Sequence, residues 1–231
     1  MFLVVDKRKL LISLGVILLV CLLGVTAVSL YCVVPKKDYV VVIDAGHGGG
    51  DGGVKGTVTG ISEAEINLLV AFSLKNKLEK RGARVVMTRE KNSVLDNGIG
   101  TKTDDFEKRK KIISQTEPDV VISIHQNKFP DSARRGAQVF FNGASEEGRS
   151  LATAVQTSLN VLNEQNVGRK FSSLKGDYYI LNCSFYPSCI VECGFLSNAD
   201  DEKLLTSVEY REELADKISV GIFAYLDEKS V

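Results

Sequence analysis

A chain of 231 residues has room for one domain or two. Its 44% hydrophobic and 25% charged content excludes disorder and low-complexity fibre. Twenty-nine basic residues balance 29 acidic ones, so no nucleic-acid partner is expected, and five cysteines are too few for a disulfide scaffold.

Residues 1–9 carry Lys7, Arg8 and Lys9 and read as a cytoplasmic tail. Leu10 to Val34 follows as 25 residues without a charge. As a helix that run spans ~37 Å, enough to cross a bilayer core of ~30 Å with some tilt. The positive flank is N-terminal, which predicts the N-terminus inside and everything after Pro35 outside. Residues 10–34 are therefore expected to be a transmembrane anchor or a signal peptide. The run exceeds the ~7–15 apolar residues of a usual signal core, which favours a retained anchor. Residues 36–231 form the exported domain.

The exported part shows no repeat and no Pro- or Ser-rich linker. Tyr39–Ala45 (YVVVIDA) is a continuous apolar run ending in glycines, the pattern of a strand buried on both faces. Ser62 and Glu65 have capping-box spacing and open a helix with Ile66, Leu69, Val70, Leu74 and Leu78 on one face. Gly82 closes it. Next come a strand at Arg84–Thr88, an irregular loop at Glu90–Thr103 and a helix at Asp104–Ser114. Asp119–Ile124 (DVVISI) and Ala137–Phe141 read as strands, and helical spacing returns from Leu151 to Leu162. Tyr178–Leu181 and Ser188–Cys193 are expected as further strands, before a final helix with Tyr210, Leu214, Ile218, Ile222 and Leu226. Cys189 and Cys193 lie four apart in a strand, so ~13 Å separates them. That is too far for a disulfide, and they are expected to pack as small hydrophobes. The order implies an α/β fold: a largely parallel twisted sheet of about six strands with helices on both faces, preceded by the N-terminal helix.

Both histidines of the chain follow buried strands, His47 after YVVVIDAG and His125 after DVVISI. Sites in open α/β sheets gather at the carboxyl ends of strands, so the two can face each other. Imidazole is a common zinc ligand, and a catalytic zinc takes three protein ligands plus an open position. Glu63 at the helix start and Asp51 in the glycine loop are both candidates for the third; spacing alone does not separate them. Glu192 stands in the apolar strand CIVECGF. A buried, unpaired glutamate there has a raised pKa, as a general base near neutral pH requires. Gly48, Gly50 and Gly53 satisfy a bare GxGxxG pattern, but eight residues intervene before the helix cap at Ser62, which argues against dinucleotide binding. The glycines suit close passage of backbone by a metal and an extended substrate. Asn127, Arg109 and Lys175 are polar residues that could line the cleft.

Taken in order, VVIDAGHGGGDGG, SEAEINL, ISIHQN and VECGFLSN resemble the zinc-dependent N-acetylmuramoyl-L-alanine amidases of the Amidase_3 type. The resemblance covers roughly residues 39–227. It implies zinc held by His47, Glu63 and His125, with Glu192 as the catalytic acid–base, and so selects Glu63 over Asp51. It also implies peptidoglycan as substrate, cut between the lactyl group of N-acetylmuramic acid and L-alanine. Thr88–Glu90 (TRE), the loop with Gly100–Lys102 and the short anchored chain look like the germination-specific branch of the family. That branch acts in spore cortex on the way to muramic-δ-lactam. A zinc peptidase or sugar deacetylase would use similar chemistry on another bond, and a wall-binding module would leave Glu192 without a purpose. Whether an accessory protein takes part, for instance in zinc loading, is left open by the sequence.

Overall fold

The computed structural model describes residues 8, 11–20, 38–92 and 101–229. The chain divides between Lys37 and Asp38. Residues 11–20 of the first unit are helical; the rest of the expected 10–34 span, like residues 93–100 of the expected loop, lies outside the described residues. Among the described residues no helix is long and apolar enough to cross a membrane.

The second unit runs β1 (Val40–Ala45), α1 (Glu63–Lys80), β2 (Arg84–Met87), α2 (Lys102–Thr116), β3 (Val120–Asn127), β4 (Gln138–Phe141) and α3 (Glu146–Val167). It continues with β5 (Leu174–Lys175), α4 (Tyr179–Asn182), β6 (Ser188–Phe195), α5 (Ala199–Thr206) and α6 (Val208–Glu228). The six strands form one sheet in the order β2-β1-β3-β6-β4-β5. Every neighbouring pair is parallel except β4 with β6.

Period-two alternation sorts the strand residues between two cores. Val41, Ile43, Ile122, Ile124 and Val191 face one side, where they pack with Ile66, Val70, Leu74, Leu159, Leu214 and Ile218 of α1, α3 and α6. Val42, Val121 and Ile190 face the other, against Ile113 of α2 and Ile180 and Leu181 of α4. Both faces are covered, which is why β1 and β3 read as unbroken apolar runs. Cys189 and Cys193 are free and buried, as small hydrophobes in the first core.

The Ser62 hydroxyl caps α1 by accepting from the Glu65 N–H, one half of the expected box. A complete reciprocal box stands at Thr101 and Asp104, opening α2 two residues earlier than expected. Three elements differ from the sequence reading. Tyr178–Leu181 is not a strand: Tyr179–Asn182 is one helical turn whose Ile180 and Leu181 fill the smaller core. A four-residue apolar run carries no periodicity that could tell the two apart. The two-residue edge strand β5 and the short helix α5, capped by Asn198 through the Asp200 and Asp201 N–H groups, complete the list.

Candidate active site

On the α2 side of the sheet, each central strand turns from apolar to polar toward its carboxyl end. β1 presents Val42 then Asp44, β3 presents Val121, Ser123 and His125, and β6 presents Ile190 then Glu192. The register pairs Asp44 with Ser123 and His125 with Glu192. Parallel strands therefore place His125 and Glu192 side by side. Glu192 lies inside β6, which extends to Phe195, rather than near its end as expected.

His47 follows β1 in a left-handed turn, with φ 60°. Such a conformation costs a non-glycine residue of the order of 1–3 kcal/mol and persists only where the surrounding structure holds it. Its ring stands edge-on to that of His125, with centroids 5.0 Å apart. Glu63, the first residue of α1, is buried between them: its Oε1 lies 3.2 Å from His47 Nε2 and 2.9 Å from His125 Nδ1. The Gly46 N–H still donates to Ile124 O, at 3.0 Å, but the Gln126 N–H donates to Glu63 Oε1, at 3.1 Å. The Val54 N–H donates to Oε2 at 3.0 Å. Burial opposes ionisation of Glu63, but hydrogen bonds from His125 and His47, and their charges, hold its carboxyl well below the usual range. Burial likewise works against a charged His47, yet Glu63, with Asp51 adding, raises its pKa.

Donor atoms of His47, Glu63 and His125 all lie within 4.8 Å of one another. Ligands bound at ~2.0–2.1 Å around a tetrahedral zinc stand ~3.3 Å apart, so two imidazoles and a carboxylate at these separations fit such an ion. Asp51 takes a different place: its carboxylate meets the far nitrogen, His47 Nδ1, at 3.0 Å. A carboxylate on the second ring nitrogen is the usual way to orient a ligating histidine. Two glycines make room for this packing. A Cβ on Gly46 would fall 2.2 Å from His125 Nε2, and one on Gly53 would fall 2.5 Å from Glu63 Oε2.

Glu192 differs from Glu63 in how its carboxylate is partnered. Its Oε2 is buried without a hydrogen-bond partner. Burial pushes its carboxyl up to about 7; the charges of His125 and His47 pull it down and that of Glu63 adds to the rise. It lines the same cleft, of about 620 Å³, as the three potential ligands. Gly48–Gly50 also line the cleft, as do Phe106, Tyr178 and Tyr179, with Phe106 and Tyr179 stacked at 4.7 Å.

Of the other polar residues singled out, Arg109 borders the cleft from a buried position, whereas Asn127 and Lys175 do not line it. Asn127 accepts from the adjacent Lys128 N–H, and Lys175 lies over Gly143. Sequence reasoning missed Asn67 and Gln126. Asn67 donates to Gly46 O at 3.1 Å and accepts from Gln126 Nε2 at 3.1 Å, closing the buried side of the Glu63 site. A clue was available: Asn67 stands at i+4 from Glu63, on the same helical face.

Two imidazoles and a carboxylate beside a second carboxylate of raised pKa, on an α/β sheet, are the equipment of a metal-dependent hydrolase. The chain belongs to the Amidase_3 family of N-acetylmuramoyl-L-alanine amidases, which it matches over residues 41–224. It is an enzyme that hydrolyses the amide between N-acetylmuramic acid and L-alanine in peptidoglycan. Among its relatives, the germination-specific N-acetylmuramoyl-L-alanine amidase of Bacillus subtilis is 35% identical over 200 residues, covering 84% of this chain and 83% of the relative. The CwlD amidase of Clostridioides difficile, solved in complex with the GerS lipoprotein, superposes with a TM-score of 0.75 at 34% identity. The match covers 82% of this chain and 99% of that one. A second N-acetylmuramoyl-L-alanine amidase, from Clostridium difficile 630, gives 0.72 at 28% identity, covering 83% and 98%.

Proposed function

We propose that this amidase is zinc-dependent, with His47, Glu63 and His125 as ligands and Glu192 as its proton carrier. Zinc, when bound, polarises the scissile carbonyl and makes water acidic enough to attack near neutral pH. Glu192 then takes a proton from the attacking water and returns it to the L-alanine nitrogen as the C–N bond breaks. The carboxyl of Glu192, at about 7, suits both halves of that transfer. The observation that carries this assignment is the buried, unpartnered Oε2 of Glu192 in the same cleft as the three ligand atoms.

The division of roles has a direct test. Glu192→Gln should keep its zinc by elemental analysis and lose about 10²–10⁴-fold in rate on peptidoglycan. His47→Ala should lose both metal and activity. Equal metal loss in the two variants would contradict the assignment.

We further propose a role in spore-cortex peptidoglycan, ahead of muramic-δ-lactam formation; the relative named as germination-specific supports the link to germination. The lipoprotein bound to the C. difficile relative supports an accessory partner here as well. The uncharged run 10–34, with cations before it, supports a membrane anchor or signal segment with residues 36–231 outside the cytoplasm. Membrane sedimentation of the full chain, lost on deleting residues 1–35, is the expected result for a retained anchor.

A further inference from the structure

Three successive backbone carbonyls, of Ala45, Gly46 and His47, accept hydrogen bonds from two buried guanidinium groups. Arg89 Nε reaches Ala45 O at 2.8 Å, and its Nη2 reaches Gly46 O at 2.9 Å. Arg109 Nη1 reaches the same Ala45 O at 2.9 Å, and its Nη2 reaches His47 O at 2.7 Å. The other donors tie these arginines to the remaining parts of the site. Arg89 also holds Ala64 O, next to Glu63, and Lys91 O in its own loop. Arg109 spends its last three N–H groups on Asp44 and on both oxygens of Asp105. Asp44 in turn accepts from Ser123, two residues before His125.

Each guanidinium thus links the strained His47 turn to an element carrying another proposed ligand. The placement costs more at Arg89 than at Arg109, whose charge Asp44 and Asp105 hold. Two cations share one carbonyl in a buried region, and burial with the charge of Arg109 lowers Arg89 to about 10. A lysine could supply charge but not the planar fork that meets several carbonyls at once. We infer that Arg89 and Arg109 are positioning residues that hold His47 in its left-handed turn, so that its ring is set for metal before metal arrives. The inference rests on His47, Glu63 and His125 being the metal ligands.

The experiment is metal affinity of the full chain by competition with a chromophoric chelator, with the visible spectrum of the cobalt(II) form and the melting temperature without metal. Arg89→Lys and Arg109→Lys should each weaken zinc binding by about 10–100-fold and alter the cobalt spectrum. Leu159→Ala, in the distant apolar core, should lower the melting temperature while leaving affinity and spectrum as in the wild type. Arg→Lys variants that melt earlier but bind zinc as the wild type does would overturn the inference. Should Arg109→Lys not fold, Asp105→Asn loosens the same guanidinium from its more exposed side. A drop of about tenfold supports the inference there, and unchanged affinity contradicts it. A wild-type chain that binds no zinc would bring down the ligand assignment and the inference with it, a result distinct from normal binding in all variants.

Discussion

Gly53 shows how tightly single residues are set in this site. Its φ is +66°, and an added Cβ would press on Glu63 Oε2 at 2.5 Å and on His47 Cδ2 at 2.9 Å. Gly53→Ala should therefore cost about 1–2 kcal/mol for the left-handed backbone alone. It should also displace two proposed ligands, so zinc titration should show weakened binding beyond what the loss of stability explains. The histidines were legible in the sequence because apolar runs lead directly to them, although β3 continues through His125 to Asn127 where the sequence suggested it would stop at Ile124. Glu63 was legible only in part, since Asp51, four residues after His47, competes for the same role. The fold separates them by ring nitrogen: Glu63 meets Nε2 between both imidazoles, and Asp51 meets Nδ1 from the half-exposed loop. Arg89 escaped because its partners are backbone carbonyls, which leave no mark in a pattern of side chains, and Asn67 and Gln126 because their side chains meet across 59 residues of sequence.

At the scale of elements, β3 carries the most. It pairs with both β1 and β6 and brings His125 beside Glu192. Ile122 at its centre is fully buried between β1 and β6, and Ile122→Ala should cost about 2–5 kcal/mol in urea denaturation. Val58 is 67% exposed in the loop before α1, and Val58→Ala should stay within about 0.5 kcal/mol of wild type. The long elements were legible since burial on two faces, or on one stripe of a helix, repeats over many residues. α4, α5 and β5 were not, because their stability comes from the neighbours they touch. Ile180 and Leu181 form a turn of helix where the smaller core has room for one, and Leu174 and Lys175 become a strand only by pairing with Phe140 and Phe141.

Across the whole molecule, the charge buried beneath the site sets its behaviour in acid. Burial opposes the ionisation of Asp44, but Arg109 and the Ser123 hydroxyl bring it to about 2 from an ordinary 3.8. A carboxyl depressed on folding stabilises the protein above its unfolded pKa and loses that contribution as pH falls through the folded one. Stability should thus decline between about pH 4 and pH 2, with Glu63 acting in the same sense. Asp44→Asn should be less stable at neutral pH and lose less over that window, as urea midpoints across the pH range would register. Mass spectrometry of peptidoglycan fragments after incubation with zinc-supplemented protein reads which bond the cleft cuts. Stem peptides with a free N-terminal L-alanine, released by the wild type and not by Glu192→Gln, are the expected product. Cleavage between stem amino acids, loss of acetyl groups, or equal release by the variant would contradict that expectation.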